Sequence, residues 1–248
     1  IEDCAHCYFG APGDPAIGST GDYAVFSTRK FFAGADGGIL ASTRHKLHDI
    51  ALPKSGPVSE ARMTLDVFEE ALEFGRSGWW ALPARTAIAM RDLAKHAVHP
   101  DSPDLGTESS SPPIPRHTSR PVVRPMSRIS RFILRNVEPF ATIEARRRNY
   151  QILRNIFASC GRVKLLSTQT PFAPYMYPLV VENPEIYLAL RRDGWPIWRW
   201  DDSDASCANS RTYAEHLLQI ACHQSLTADD TAALGRAVVE SSAQFARS

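Results

Sequence analysis

Asp22-Tyr23-Ala24-Val25-Phe26-Ser27-Thr28-Arg29-Lys30, followed by Gly34-Ala35-Asp36-Gly37-Gly38-Ile39-Leu40, is the stretch on which the reading of this chain turns. Tyr23 to Thr28 and Gly38 to Ser42 are short apolar strands, and Lys30 to Gly37 is the glycine-containing turn between them. A lysine just past a strand, with a serine three residues before it and a glycine turn after it, suits a carbonyl-forming amine held beside a phosphate. Lys30 can form a Schiff base if desolvation or a nearby cation lowers its pKa, and the Ser27 hydroxyl can bond a phosphate oxygen. By residue type alone Lys30 is a surface lysine, and spacing does not overturn that.

The second piece lies upstream. Asp3 follows apolar Ile1 and precedes Lys30 by 27 positions. An aspartate at the end of a buried strand can pair with a protonated pyridine nitrogen and keep such a ring an electron sink for the carbanion that amine exchange requires. His6 can hydrogen-bond a ring oxygen. Taken singly, Asp3 is a strand-end cap and His6 a satisfied histidine; the combination is what is unusual.

The rest of the composition bounds the class. A length of 248 residues gives room for one to two domains. An apolar fraction of 44% with 22% charged residues is ordinary globular usage, which excludes a disordered or collagen-like chain. A net charge of +1 excludes a global field directed at nucleic acid or an anionic membrane. No apolar run approaches the roughly 18 residues of a membrane span and no signal peptide precedes Ile1, so the chain reads as cytoplasmic. It opens on Ile1 without an initiator methionine, as a fragment or a processed chain would. The 5 cysteines, at 4, 7, 160, 207 and 222, make no evenly spaced disulfide framework and read as reduced thiols. Cys4-Ala5-His6-Cys7 contains a C-x-x-C, but a zinc site needs a second ligand pair and none is spaced for it, so no metal is expected.

Ser59 to Val98 has helical periodicity through Met63, Val67, Phe68, Ala71 and Leu72, then Ile88, Leu93 and Ala94, with Gly75 and Gly78 breaking it in two. Proline and serine crowd His99 to Pro125, which reads as a long loop or linker. A long helix is expected over Ser130 to Phe157, with Pro139 as a kink or boundary and Arg146-Arg147-Arg148 on a solvated face. Beyond it come strands at Val163 to Leu166, Met176 to Val181, Trp195 to Trp200 and Leu217 to Ala221, and helices at Pro184 to Arg192 and Thr227 to Phe245. Thr227 is placed to cap the last helix, with Asp229 and Asp230 at its positive end.

Ile1-Glu2-Asp3-Cys4-Ala5-His6, Gly10-Ala11, Ile17-Gly18-Ser19, Gly21-Asp22 and Phe26 to Lys30 with Asp36-Gly37-Gly38 together resemble the DegT/DnrJ/StrS sugar aminotransferases, which are fold-type I pyridoxal-phosphate enzymes. Tyr177-Pro178-Leu179, Trp195 to Trp200 and Leu217 to Thr227 are similar to that family's C-terminal domain. The resemblance implies an α/β fold: a partial large domain with a mixed or parallel sheet over 1–98, a linker over 99–126, and a long helix with a small α+β C-terminal domain over 127–248. It implies pyridoxal 5'-phosphate as cofactor, Lys30 as the residue that forms the Schiff base, Asp3 on the pyridinium, His6 against the ring oxygen and Ser27 on the phosphate. A related dehydratase branch has histidine at the position of Lys30, so the lysine points to transamination. The implied substrates are a ketosugar, usually nucleotide-linked, and an amino-acid donor such as glutamate, in amino-sugar biosynthesis by a homodimer. The family's Gly/Thr phosphate loop and ring-stacking aromatic precede its I-E-D strand and have no match here. Nor is the asparagine that a partner subunit lends to the phosphate matched in the Pro/Ser-rich segment.

Two other readings stay open: a non-catalytic relative serving as a binding or regulatory domain, and a different fold-type I reaction such as desulfuration or decarboxylation. Trp79-Trp80 and Trp195, Trp198 and Trp200 can stack on a sugar or base, although core packing accounts for the alternation of the last three. His223 is given no role.

Overall fold

The computed structural model describes residues 1–10, 16–47, 50–73, 78, 80–98, 124–166, 172–199 and 208–246. The linker expected over 99–125 falls almost wholly on 99–123, outside the described residues, as do Gly75, Trp79, Trp200 and Cys207. The described residues divide into two compact units, the first holding 1–8, 17–98 and 124–137 and the second 9–10, 16 and 138–246.

The first unit holds strands β1 (Glu2–Asp3), β2 (Ala24–Ser27) and β3 (Gly38–Ala41) in the order β1-β2-β3, and helices α1 (Pro57–Glu73), α2 (Ala81–Val98) and α3 (Arg128–Asn136). Its sheet is mixed: β1 runs parallel to β2, and β2 antiparallel to β3. The break foreseen between the two helices falls around Gly78, and Phe68 stacks on Trp80 across it with ring centroids 5.1 Å apart. Arg91 ties α2 to α1 through Asp66 at 3.2 Å and Glu69 at 2.7 Å. Ser127 caps α3 by accepting from the Ser130 N–H, and the Asp36 carboxylate accepts in turn from the Ser127 N–H at 3.0 Å and its hydroxyl at 2.7 Å. The Gly34–Gly38 turn after Lys30 is thus fastened to a helix start some 90 residues on. Gly37 sits at φ +118°, and a Cβ there would lie 2.5 Å from Met126 Cε and 2.7 Å from Thr28 Oγ1, so the turn admits only glycine at this point.

The long helix expected over Ser130 to Phe157 is two helices, α3 and α4 (Pro139–Ala158). Val137 and Glu138 are both extended; Glu138 is so because the residue before a proline is pushed out of the helical region, and Pro139, with no N–H to satisfy, opens the new helix at its first turn. Phe140, expected on the helical period with Ile143 and Tyr150, is exposed.

The second unit continues with β4 (Val163–Leu165), β5 (Met176–Val181), α5 (Glu185–Arg192), β6 (Ile197–Arg199), α6 (Ala208–His216), β7 (Leu217–Ala221) and α7 (Ala228–Gln244). Its four strands form an antiparallel sheet in the order β4-β5-β7-β6. Tyr177, Leu179 and Val181 alternate inward along β5 and meet Leu218 and Ile220 of β7 and Leu153 and Phe157 of α4 in one core. α7 packs on α4 at Gly235, where a Cβ would stand 2.9 Å from Ile156 Cδ1. Thr227 and Asp230 form the capping box that starts α7, each side chain accepting from the other's backbone N–H at 3.1 Å. Trp195 and Trp198 pack against the core, and α6 is a helix that sequence periodicity did not reveal. Among the described residues, no helix is long and apolar enough to cross a membrane.

Candidate functional site

The parallel pairing of β1 and β2, with Glu2 opposite Ala24 and Asp3 opposite Val25, makes the chain leave both strands at the same end. His6 follows β1 by three residues and Lys30 follows β2 by three, so one topological fact delivers both to one place, the carboxyl end of a parallel strand pair. There Lys30 Nζ and His6 Nε2 are hydrogen-bond partners. The path to His6 is set by a tight turn after β1: the Cys7 N–H donates to the Cys4 carbonyl at 3.0 Å, and Asp3 Oδ1 accepts from the Ala5 N–H at 2.9 Å. The path to Lys30 is a 3₁₀ turn over Thr28–Lys30, whose Thr28 carbonyl accepts from both the Phe31 and the Phe32 N–H, at 3.1 and 2.9 Å. Phe31 and Phe32 are buried and anchor it.

Burial pushes the Lys30 amine below the usual lysine range, against the opposing pull of the Asp3 carboxylate. His6 is exposed by area, yet the protein around its ring, and then the charge of Lys30, push the imidazole down, again opposed by Asp3. The three side chains sense one another: two bases that resist protonation face each other, and one carboxylate acts on both. Acid weakens the pair, since protonating His6 and Lys30 together sets two cations in contact. Ser27, the fourth residue expected in the site, ends β2 opposite Gly38, half-buried, and its hydroxyl makes no capping bond to the 3₁₀ turn. Its position next to the Lys30 turn is compatible with an anion, and no contact of its side chain joins it to the Lys30–His6 pair. A cavity of about 340 Å³ beside Asp36 and Gly37, bounded by Ser59 and Glu60 of α1 and by Met126, includes neither Lys30 nor His6 in its lining.

Sequence reasoning gave Glu2 no role of its own, and the structure gives it one. Its carboxylate accepts from the N–H groups of Gly18 at 2.9 Å, Thr20 at 3.0 Å and Gly21 at 3.3 Å, and from the Thr20 hydroxyl at 2.6 Å. Gly18, at φ +84°, lets the backbone turn its N–H to the acid, and a Cβ there would meet Phe26 Cζ at 2.8 Å. The Thr20 hydroxyl first, then the Gly18 N–H, hold Glu2 at about 2 instead of the ordinary 4.5. A carboxylate depressed in the folded chain contributes stability that is present above pH 4.5 and is lost as the pH falls toward about 2. Amide resonances of Gly18 to Gly21 are therefore expected to shift together across that window in an acid titration, and Glu2→Gln to flatten the transition. The signal available in sequence was the run Ile17-Gly18-Ser19-Thr20-Gly21, a cluster of donors with no acceptor of its own.

The thiols carry less. Burial raises Cys4 to about 11, and burial and then Glu2 raise Cys7, so neither is an activated nucleophile; Cys4, Cys7, Cys160 and Cys222 are all unbridged. The basic triplet divides: Arg147 and Arg148 are exposed as expected, but Arg146 is fully buried among backbone carbonyls of the second unit.

No family model and no curated protein matches the sequence. Among solved structures the chain is similar to a Streptococcus pneumoniae protein described as a sugar aminotransferase. Its PLP form gives a TM-score of 0.51 at 16% identity over 98% of this chain and 57% of that one, and its PMP form gives 0.50 at 14% over 95% and 55%. The sugar aminotransferase CalS13 of Micromonospora echinospora gives 0.48 at 18% identity over 96% and 57%. At these identities the likeness is one of fold: the chain has an α/β architecture like that of these neighbours, a mixed sheet with helices followed by an α+β unit, and spans just over half their length.

Proposed function

We propose that this chain belongs to a pyridoxal-phosphate-dependent aminotransferase of the DegT/DnrJ/StrS type, acting on a ketosugar with an amino-acid donor. The observation that carries the reading is the meeting of Lys30 with His6 at the shared carboxyl end of β1 and β2, with Asp3 acting on both. The residues fit the cofactor: a lysine amine partly withdrawn from water, the Asp3 carboxylate at the end of the strand paired with the lysine's own, and a hydroxyl at Ser27 beside the lysine turn. Pyridoxal phosphate, when bound, supplies an aldehyde for an amine and a ring that accepts the electrons of an α-carbanion.

The chain's own groups divide the remaining work. Nζ of Lys30 would be the nucleophile that holds the cofactor and, as a free amine, would serve as the base toward the donor's α-proton. The Asp3 carboxylate keeps the ring nitrogen protonated. His6 would donate toward the ring oxygen, while burial is what lowers the Lys30 amine. Ser27 contributes one hydrogen bond to the phosphate. The acceptor is a nucleotide-linked ketosugar, glutamate the donor, amino-sugar formation the outcome, and a homodimer the assembly; for these four the support is the resemblance carried by the I-E-D and F-S-T-R-K segments together with the shared fold.

The test is reductive trapping. The purified chain, incubated with pyridoxal phosphate and then borohydride, is expected to carry one pyridoxyl group on the peptide containing Lys30. A label spread evenly over Lys30, Lys46, Lys54 and Lys164 would overturn the reading and leave the chain a non-catalytic domain of the same fold.

A further inference from the structure

The contact between His6 and Lys30 joins two turns that are far apart in sequence, and neither turn alone fixes the distance between them. The Tyr8 ring does. It lies edge-on to Phe32 with centroids 5.0 Å apart and an interplanar angle of 85°, edge-on to Phe26 at 5.9 Å and 74°, and tilted against Phe31 at 5.9 Å. These three rings bracket Lys30 in the chain, Phe26 four residues before it and Phe31 and Phe32 immediately after. Phe31 and Phe32 are buried, so the surface on which Tyr8 sits is part of the first unit's packed interior. Tyr8 itself stands two residues past His6, a tether of about 7 Å at full extension. Fixing the Tyr8 ring against the phenylalanines therefore confines the His6 imidazole to the neighbourhood of the Lys30 amine. Edge-to-face geometry adds direction to the burial, because the ring edges point at ring faces and resist sliding.

We propose that Tyr8 is the positioning residue of this site: by docking on Phe26, Phe31 and Phe32 it holds His6 against Lys30. The inference deepens the reading of Lys30 as the reactive amine and rests on it for its catalytic meaning, but the contact itself exists without any cofactor. The ring carries the role, so the conservative Tyr8→Phe should retain it.

The experiment follows Lys30 in the cofactor-free chain. Competitive trace acetylation with acetic anhydride across a pH series, quantified by mass spectrometry on Lys30 relative to Lys46, reads the amine's titration midpoint, and the His6 ring resonances read the imidazole. Wild type and Tyr8→Phe are expected to share one Lys30 midpoint, below the ordinary 10.5. Tyr8→Ala is expected to move that midpoint up by about half a unit or more, a fall of about threefold in relative reactivity near neutral pH, with the His6 resonances shifting toward an ordinary exposed histidine. Where Tyr8→Ala loses its circular dichroism signal, Tyr8→Leu and Phe32→Leu approach the same contact from its two sides at retained apolar volume. Folded Tyr8→Ala or Tyr8→Leu with the wild-type Lys30 midpoint and His6 shifts would overturn the proposal. Reductive trapping on the same proteins separates the two claims. Tyr8-dependent titration with no pyridoxyl group on wild-type Lys30 would remove the aminotransferase reading and keep the positioning. Trapping at Lys30 with titration indifferent to Tyr8 would do the reverse.

Discussion

Lys30→Ala is expected to abolish reductive incorporation of pyridoxal phosphate at its site, while leaving the fold and the slow background on exposed lysines intact. The argument begins with how little the side chain does structurally. It is half-buried at the end of a 3₁₀ turn whose anchors are Phe31 and Phe32, so truncation removes an amine from a surface and leaves no cavity in a core. The chemistry loses everything, because the amine beside His6 is the one lowered by burial, and Lys46 and Lys54 are exposed. Each unit by which an amine falls below the ordinary 10.5 raises its unprotonated fraction about tenfold at neutral pH. The rate of capture by the wild-type chain should therefore rise with pH and level off at a midpoint below 10.5. The sign carries into stability as well. With the folded pKa below the unfolded one, the unfolded chain holds more protons between the two values, so this lysine costs stability at lower pH and the cost is relieved as the pH rises through that window. Lys30→Arg tests charge against nucleophilicity: it retains a cation and should be as inert toward the aldehyde as alanine. Equal capture by wild type and Lys30→Ala, peptide by peptide, would end the assignment of this residue.

The site's members were legible in sequence as residue types, and the reason they meet was not. A lysine after a strand and an aspartate near another strand's end are visible in the letters. That the strands are neighbours, run parallel and pair with Asp3 opposite Val25 is long-range pairing information that no local pattern holds. The role of Glu2 was hidden for the same reason, since the donors from Gly18, Thr20 and Gly21 reach it only once β1 lies beside β2. In the second unit the strong local signals carried through, as at the Thr227 capping box and the alternation along β5. α6 failed to show because Ala208-Asn209-Ser210-Arg211-Thr212-Tyr213-Ala214-Glu215-His216 has little apolar periodicity, and its only cue is that it runs directly into β7. Arg146 was misplaced for a different reason: three consecutive arginines read as one charged face, although a helix turns about 100° per residue and cannot put three neighbours on one side. Position 146 lies three after Ile143 and four before Tyr150, squarely on the buried stripe.

Arg146→Met is expected to be among the most destabilising single changes in the second unit, lowering its stability by about 3–5 kcal/mol, because buried acceptors lose a charged donor and the carbonyls of Pro174 and Tyr175 keep only the weak Cys222 thiol. The guanidinium is fully buried. Its Nε donates to Gln224 Oε1 at 2.7 Å and its Nη1 to the carbonyls of Pro174 and Tyr175, both at 3.1 Å. Those carbonyls sit just before β5, and Gln224 just after β7, so one side chain on α4 fastens the connections at one end of the central strand pair. Asn149, one turn on, makes the companion link to the carbonyls of His223 at 2.8 Å and Leu226 at 3.2 Å, just ahead of the capped start of α7. Burial lowers Arg146 to about 10, still far above neutrality, so the group is charged at working pH and its hydrogen bonds are charge-assisted. Methionine matches much of the stem's volume, which confines the loss to the polar contacts and keeps the cavity contribution small. Arg146→Lys should recover only a part, since a point ammonium cannot span acceptors that a planar fork reaches on two sides. Arg147→Ala is the control: its exposed guanidinium stands 5.8 Å over the Phe172 ring, an arrangement worth about 0.5–1 kcal/mol at most. Guanidinium chloride denaturation followed by the fluorescence of Trp195 and Trp198, which pack on this core, reads all four proteins. A midpoint for Arg146→Met no lower than that of Arg147→Ala would mean that the carbonyls find other donors, and that the buried arginine does not hold this end of the sheet.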